Sequence, residues 1–218
     1  PYQGIITNDM TIGSDGTVTE ILKTLTVRAG AVLTVPAGAT LAFHPNAGLI
    51  VENGALHANG TALKPIHFTT VATNAPAAGD WNGVTLLAQA GASLLRHVWL
   101  EYGQGLAIEG CAPTVDACTA RYNASAGFSV RAGGTLATRD ALLLYNTVAI
   151  RSAAGASATL THSIIRNNVT NALAEAGAAL AATNVWWGSA ELATIQNGLG
   201  GTVACEPFLT SEPVLTPA

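Results

Sequence analysis

The sequence predicts an all-β fold of one kind, a single-stranded parallel β-helix with about three short strands per coil and a coil period of about 22 residues. Three observations carry this. Ala92, Thr114, Thr135, Ser157 and Leu180 open similar segments at steps of 22, 21, 22 and 23 residues. Within those segments apolar residues alternate with period two, the spacing of a strand that turns one face inward. At one turn position asparagine recurs, as Asn123, Asn146 and Asn168.

Taken in order, residues 1–23 show no helical period and read as irregular strand forming an N-terminal edge or cap, and the coils are expected over 24–188. Leu25-Thr-Val27, Val32-Leu-Thr-Val35, Thr40-Leu-Ala-Phe43, Leu49-Ile-Val51, Ala55-Leu-His57 and Ile66-His-Phe68 are strand-like runs. Joints at Ala29-Gly30, Pro36-Ala37-Gly38, Asn53-Gly54 and Asn59-Gly60 turn the chain between them. Val27 to Val51 spans 24 positions and Leu33 to Leu56 spans 23, so three strands fit in each coil. The stretch Thr70 to Asp80, rich in Ala, Pro and Asn, reads as a loop that leaves the coil before Trp81.

From Ala92 onward the columns can be named. Val98, Cys118, Ala141, Ser163 and Val185 share one inward position, and Leu100, Ala120, Leu143, Ile165 and Trp187 share the inward position two residues later. A second strand follows in each coil, as Leu106 with Ile108, Phe128 with Val130, Val148 with Ile150, and Ala172 with Ala174. The first strand ends in two side-chain stacks: Tyr102, Tyr122 and Tyr145 followed by Asn167, then Gly103 followed by Asn123, Asn146 and Asn168. With coils about 4.8 Å apart, amides in register hydrogen-bond along the column, and Asn tolerates the left-handed backbone of a tight turn.

Between the inward columns runs an outward one, Trp99, Thr119, Leu142, Ile164 and Trp186, with Leu144 beside it. This apolar stripe needs a cover. Either the segment Cys205 to Leu215 folds back over it, after a short helix around Ala190 to Gln196, or it is a lateral contact with another subunit. Residues 189–218 are thus expected to form a C-terminal capping segment and tail.

Composition narrows the function. Only 10% of the 218 residues are charged, against roughly 25% in an ordinary soluble protein. A net charge of -4 with 9 Lys plus Arg leaves no footprint for nucleic acid, and no apolar run is long enough for membrane insertion. The chain opens at Pro1 without a basic or apolar leader, which fits a mature secreted product and a fragment of a larger protein equally. No cofactor motif is present. His44, His57, His67 and His97 fall at no metal-ligand spacing and read as surface or turn residues.

Catalytic candidates are few. Asp140 and His162 stack as an acid/base pair, but no nucleophile, Arg clamp or second carboxylate joins them, so an exposed ion pair is the favoured reading. Glu101 and Arg121 share an outward column with Leu144 and Arg166 and read as an external salt-bridge ladder. Cys111, Cys118 and Cys205 permit one disulfide at most, and buried thiols are as compatible with the spacing as a Cys111–Cys118 or Cys111–Cys205 bridge. Of the sequons at Asn59, Asn123 and Asn168, the latter two fall in the Asn stack, where glycosylation is not expected.

The runs Leu33-Thr-Val-Pro-Ala-Gly38, Leu56-His-Ala-Asn-Gly-Thr61, Pro65-Ile-His-Phe-Thr69, Gly79-Asp-Trp-Asn-Gly-Val84 and Asn184-Val-Trp-Trp-Gly188 resemble the repeat modules of bacterial secreted and cell-surface β-helices with the pectin-lyase-like fold. Val185 departs from the pattern, which commonly carries Asn there. The resemblance implies a right-handed parallel β-helix in a secreted, extracellular or cell-surface setting. The expected function is a non-catalytic structural module that self-assembles, end to end or laterally, into a fibre, sheath or surface layer. Alternatives are a polysaccharide-binding or polysaccharide-cleaving β-helix, with a groove along one sheet walled by the Thr70 to Asp80 loop, and an adhesin fragment.

Overall fold

In a computed structural model, which describes residues 1–215, the chain winds as a right-handed parallel β-solenoid of about 8 turns with a period of about 22 residues. Each coil lays a strand on each of three faces, because its alternating runs are broken at three corners where the backbone turns left-handed.

The first face runs from residues 18–21 through Thr40–Phe43, Ile66–Thr70, Val98–Glu101, Thr119–Arg121, Leu142–Leu144 and Ile164–Arg166, and closes at a bridge from Ile164 to Trp186. The second face starts at Tyr2–Ile6 and includes Val84–Gln89, Leu106–Glu109, Ala126–Arg131, Val148–Ser152 and Thr170–Ala174, ending on Leu199–Gly200. The third starts at Met10–Thr11 and Ala31–Val35 and reaches Thr135–Arg139, Ser157–Thr161 and Ala179–Thr183. Val18–Val27 and Leu49–Asn59 are long enough to bend around a corner and serve two faces each. The coil pattern therefore already holds within residues 1–23, where Tyr2–Ile6 and Met10–Thr11 pair with the following coil.

The core is the sum of the inward columns. Val98, Cys118, Ala141, Ser163 and Val185 are fully buried, as are Leu100, Ala120, Leu143 and Ile165, with Trp187 nearly so. Each large aliphatic side chain buried there contributes about 1.5–3 kcal/mol. In the first half the interior is filled by Phe43, stacked on Trp81 at 4.2 Å between ring centroids and edge-on to Phe68 at 6.2 Å. The Trp81 indole N–H donates to the Glu101 carbonyl at 2.8 Å.

That ring also explains the one glycine in the Asn column. A Cβ at Gly103 would lie 2.6 Å from the Trp81 ring, so the first rung of the stack has room for no side chain. At the same corner Gly105 has φ +84°, and a Cβ there would lie 1.9 Å from the Ala126 carbonyl oxygen. Coils can approach at strand spacing there only if this residue is glycine.

The chain leaves the solenoid after Thr70 and returns where the Gly79 and Asp80 amides donate to the Tyr102 carbonyl at 3.0 and 2.9 Å. At the far end the helix Leu192–Asn197 turns Ile195 into the core while its other side faces solvent. Cys111, Cys118 and Cys205 are free and buried, so neither bridge allowed by the spacing forms. Their thiols serve as small apolar fillers; Cys118 Sγ approaches the Asp116 carbonyl at 3.2 Å.

Candidate functional site

Polar and aromatic side chains concentrate on the outside of the first face and at its two corners. At one corner, Asn123 Oδ1 accepts from the Gly103 amide at 3.1 Å, Asn146 Oδ1 from the Asn123 amide at 3.1 Å, and Asn168 Oδ1 from the Asn146 amide at 2.8 Å. Each amide nitrogen donates inward, to the carbonyls of Leu100, Ala120 and Leu143. Asn123 and Asn146 are 1% exposed, so a structural ladder and not a binding surface is built here.

The left-handed residue of this corner is not the asparagine. It is the residue before it: Tyr102, Tyr122, Tyr145 and Asn167 have φ between 56° and 62°. The Asn column was expected to take the left-handed backbone; instead it supplies the hydrogen bonds that hold a left-handed tyrosine in place. The three tyrosines stack in parallel at 5.3 and 5.1 Å, and Asn167 Nδ2 donates to the Tyr145 hydroxyl at 3.2 Å. Their ring faces are occupied by one another.

The opposite corner carries His97, Ala117, Asp140, His162 and Asn184, all at positive φ. His162 Nδ1 lies 2.5 Å from Asp140 Oδ1, and Arg139 Nε donates to Asp140 Oδ2 at 3.0 Å. Asp140 thus has both oxygens engaged and is largely buried, where the sequence suggested an exposed pair. His97, expected at the surface or in a turn, lies in the turn and is buried there.

Between the corners lies the stripe. Glu101 is the main departure from expectation: it sits on the outward side of the first face, yet it is 5% exposed. Arg121 pairs with it from the next coil and His67 from the preceding one, at 3.6 Å. Arg121 spreads over the Trp99 ring, 4.7 Å from its centroid, and over Tyr122 at 5.7 Å; His67 packs on Trp99 at 4.9 Å. Burial pushes the Glu101 carboxyl up, but hydrogen bonds and charge from His67 and Arg121 outweigh it and hold it below the usual carboxylate range. This is a buried ionic clamp, not an external ladder. Trp99 has His67 and Arg121 packed on it.

The stripe is covered from within. The Asn184 amide donates to the Pro207 carbonyl at 2.6 Å and the Leu209 amide to the Val185 carbonyl at 3.0 Å, so the C-terminal segment runs back along the first face. Arg166 pairs with Glu212 at 3.2 Å, and Leu215 reaches a cleft of about 200 Å³ lined by Ala62, His97, Trp99, Thr119, Asp140 and Leu142. Ile164 and Leu144 are 4% and 9% exposed, while Leu142, Trp99 and Trp186 are half-buried. The C-terminal segment thus lies over part of the stripe, as the fold-back reading expected. No periodicity in Cys205 to Leu215 could have given its path.

A second hollow of about 750 Å³ lies at the other end of the solenoid, beside Gln3, Lys23 and Asn46, and brings no carboxylate or imidazole. Among the described residues no group of three His, Cys, Asp or Glu side chains is placed to hold a metal ion. Searches of curated proteins and of solved structures gave no match. Residues 4–99 match the family model described as the pectate-lyase like beta helix domain, so the right-handed solenoid built by these columns is similar to the pectate-lyase-like β-helices.

Proposed function

We propose that this chain is a non-catalytic extracellular structural module, a stiff shaft that self-assembles through its coils. The observation that carries the reading is where its charges go. Of 9 Lys plus Arg, seven are ion-paired, and four of those pairs, Arg28–Glu52, Arg121–Glu101, Arg131–Glu109 and Arg151–Glu175, tie one coil to the next. Carboxylates held this way are not available as the acid and base of glycoside cleavage, which requires two of them across a sugar. Trp99, Tyr102 and Tyr122 are likewise packed on neighbours, which leaves them less free face to stack on a pyranose.

End-to-end growth is supported by the first coil, where Tyr2–Ile6 pairs on one side only, with Ile5 61% and Val18 68% exposed beside it. Such an edge can template another strand. Pectate-lyase-like domains are often extracellular, which agrees with the low charge and the setting implied by the repeat motifs.

A second reading, polysaccharide binding or cleavage, is favoured by the cleft beside Asp140 and His162 and by the many enzymes with this fold. Incubation with acidic and neutral polysaccharides separates the two. The structural reading expects no unsaturated or new reducing ends and no retardation in affinity gels; cleavage that disappears in Asp140→Asn would replace it by the enzymatic one.

A further inference from the structure

The cleft on the first face is a seat for an extended peptide, and its occupant is visible. Phe208, Leu209, Pro213 and Leu215 turn toward the solenoid, while Val214 is 84% exposed and Glu206 and Pro207 face solvent. Charge and position agree along the path: Glu212 meets Arg166, and Leu215 lines the cleft together with Trp99, Thr119 and Leu142. Beyond Leu209, no backbone hydrogen bond to the solenoid is formed among the described residues, so the outer part of the tail is held by side chains alone.

We propose that this seat also accepts the tail of a second copy, so that exchanged tails link copies of the chain. Every contact named above is the same whether the tail comes from its own solenoid or from a neighbour, which makes exchange cheap in contact energy. The joint at Glu206-Pro207 is exposed, and Pro213 fixes φ in the outer part of the strap and leaves it less freedom to lose on seating. In its own solenoid the tail has the advantage of high effective concentration, so exchange grows with protein concentration. A tail given to one copy while another is received makes an open chain of subunits; reciprocal exchange closes a dimer. The inference rests on the self-assembly reading and adds a contact distinct from the strand edge at the first coil.

The test uses the full chain with single reporters at two exposed positions, Ala62→Cys beside the cleft and Val214→Cys on the tail. The native thiols are buried and do not compete. A short bis-maleimide added to an equimolar mixture of the two variants is expected to give a cross-linked heterodimer whose yield rises with concentration. Placing Glu212→Arg on the tail copy should lower that yield severalfold. The double variant, carrying both cysteines in one chain, is the control and should cross-link within the monomer. Cross-linking in the double variant but none in the mixture at any concentration overturns the exchange. No cross-linking in either overturns the seat itself. Elongated assemblies that persist in the Glu212→Arg chain, whose tail no longer seats, come from end stacking and not from exchanged tails, so the two readings fail separately.

Discussion

Replacing Asn146 by alanine tests the corner ladder at its best-connected rung. The carboxamide makes four hydrogen bonds: Oδ1 accepts from the Asn123 amide at 3.1 Å and from Asn123 Nδ2 at 2.9 Å, while Nδ2 donates to the Ala120 carbonyl at 2.9 Å and to Asn168 Oδ1 at 3.1 Å. Asn146 is 1% exposed, so water cannot take over these partners without opening the corner. At about 1 kcal/mol net per bond, with part of the orphaning penalty relieved by local relaxation, Asn146→Ala should cost about 4 kcal/mol. For a chain of this size that is a fall in melting temperature of roughly 10 °C. Asn168→Ala should cost about half as much, because Asn168 is half-buried and solvent can replace its partners. Urea midpoints and calorimetry on the two variants measure both the size and the order. A loss below about 1 kcal/mol for Asn146→Ala, or a larger loss at Asn168, would refute the claim that the ladder holds the left-handed tyrosines in place.

Three further outcomes follow from the same geometry. Leu143→Asp puts a carboxylate among the fully buried Leu100, Ala120 and Ile165 column and should abolish cooperative unfolding at room temperature; unchanged thermal stability would mean that the coil register is wrong. Glu101 titrates below the usual carboxylate range in the folded chain, so its ion pairs contribute full stability above the unfolded carboxyl pKa and lose it as pH falls through the folded one. The stability gap between the native chain and Glu101→Gln should therefore be widest near neutral pH and shrink on acidification, and a gap that grows instead would contradict the clamp. The Cys118 thiol is pushed up to about 12 by burial, and those of Cys111 and Cys205 are also raised, so a thiol reagent at neutral pH should label none of the three until the chain unfolds.

Most of the solenoid is legible in the sequence because its information is periodic. Leu100, Leu143 and Ile165 can be put in one column by counting, since a parallel coil brings residues about 22 apart into contact and alternation says which of them point inward. The same counting misleads at Glu101. It fixes the outward direction of the side chain but not what lies over it, and His67, Trp99 and Arg121 close above the carboxylate. Asp140 is misjudged for the related reason that a corner residue is buried or exposed according to what packs on it. For the tail, the apolar stripe told that a cover was needed and pointed to Cys205 to Leu215, but its path could not be read, since Phe208, Leu209 and Leu215 follow no period and their seat exists only once the first face has formed. Trp81 lies between these cases: its indole accounts for Gly103 in the Asn column, but only coordinates show the ring lying against that glycine.

As proposed here, the chain stacks end to end as a shaft, with most of its charged groups paired coil to coil and one strand edge open at the first coil. Electron microscopy combined with fibre diffraction of the concentrated full chain tests it most directly. The account predicts elongated assemblies with strands perpendicular to the long axis and a meridional reflection near about 4.8 Å. Isolated particles the length of a single solenoid at every concentration would contradict it.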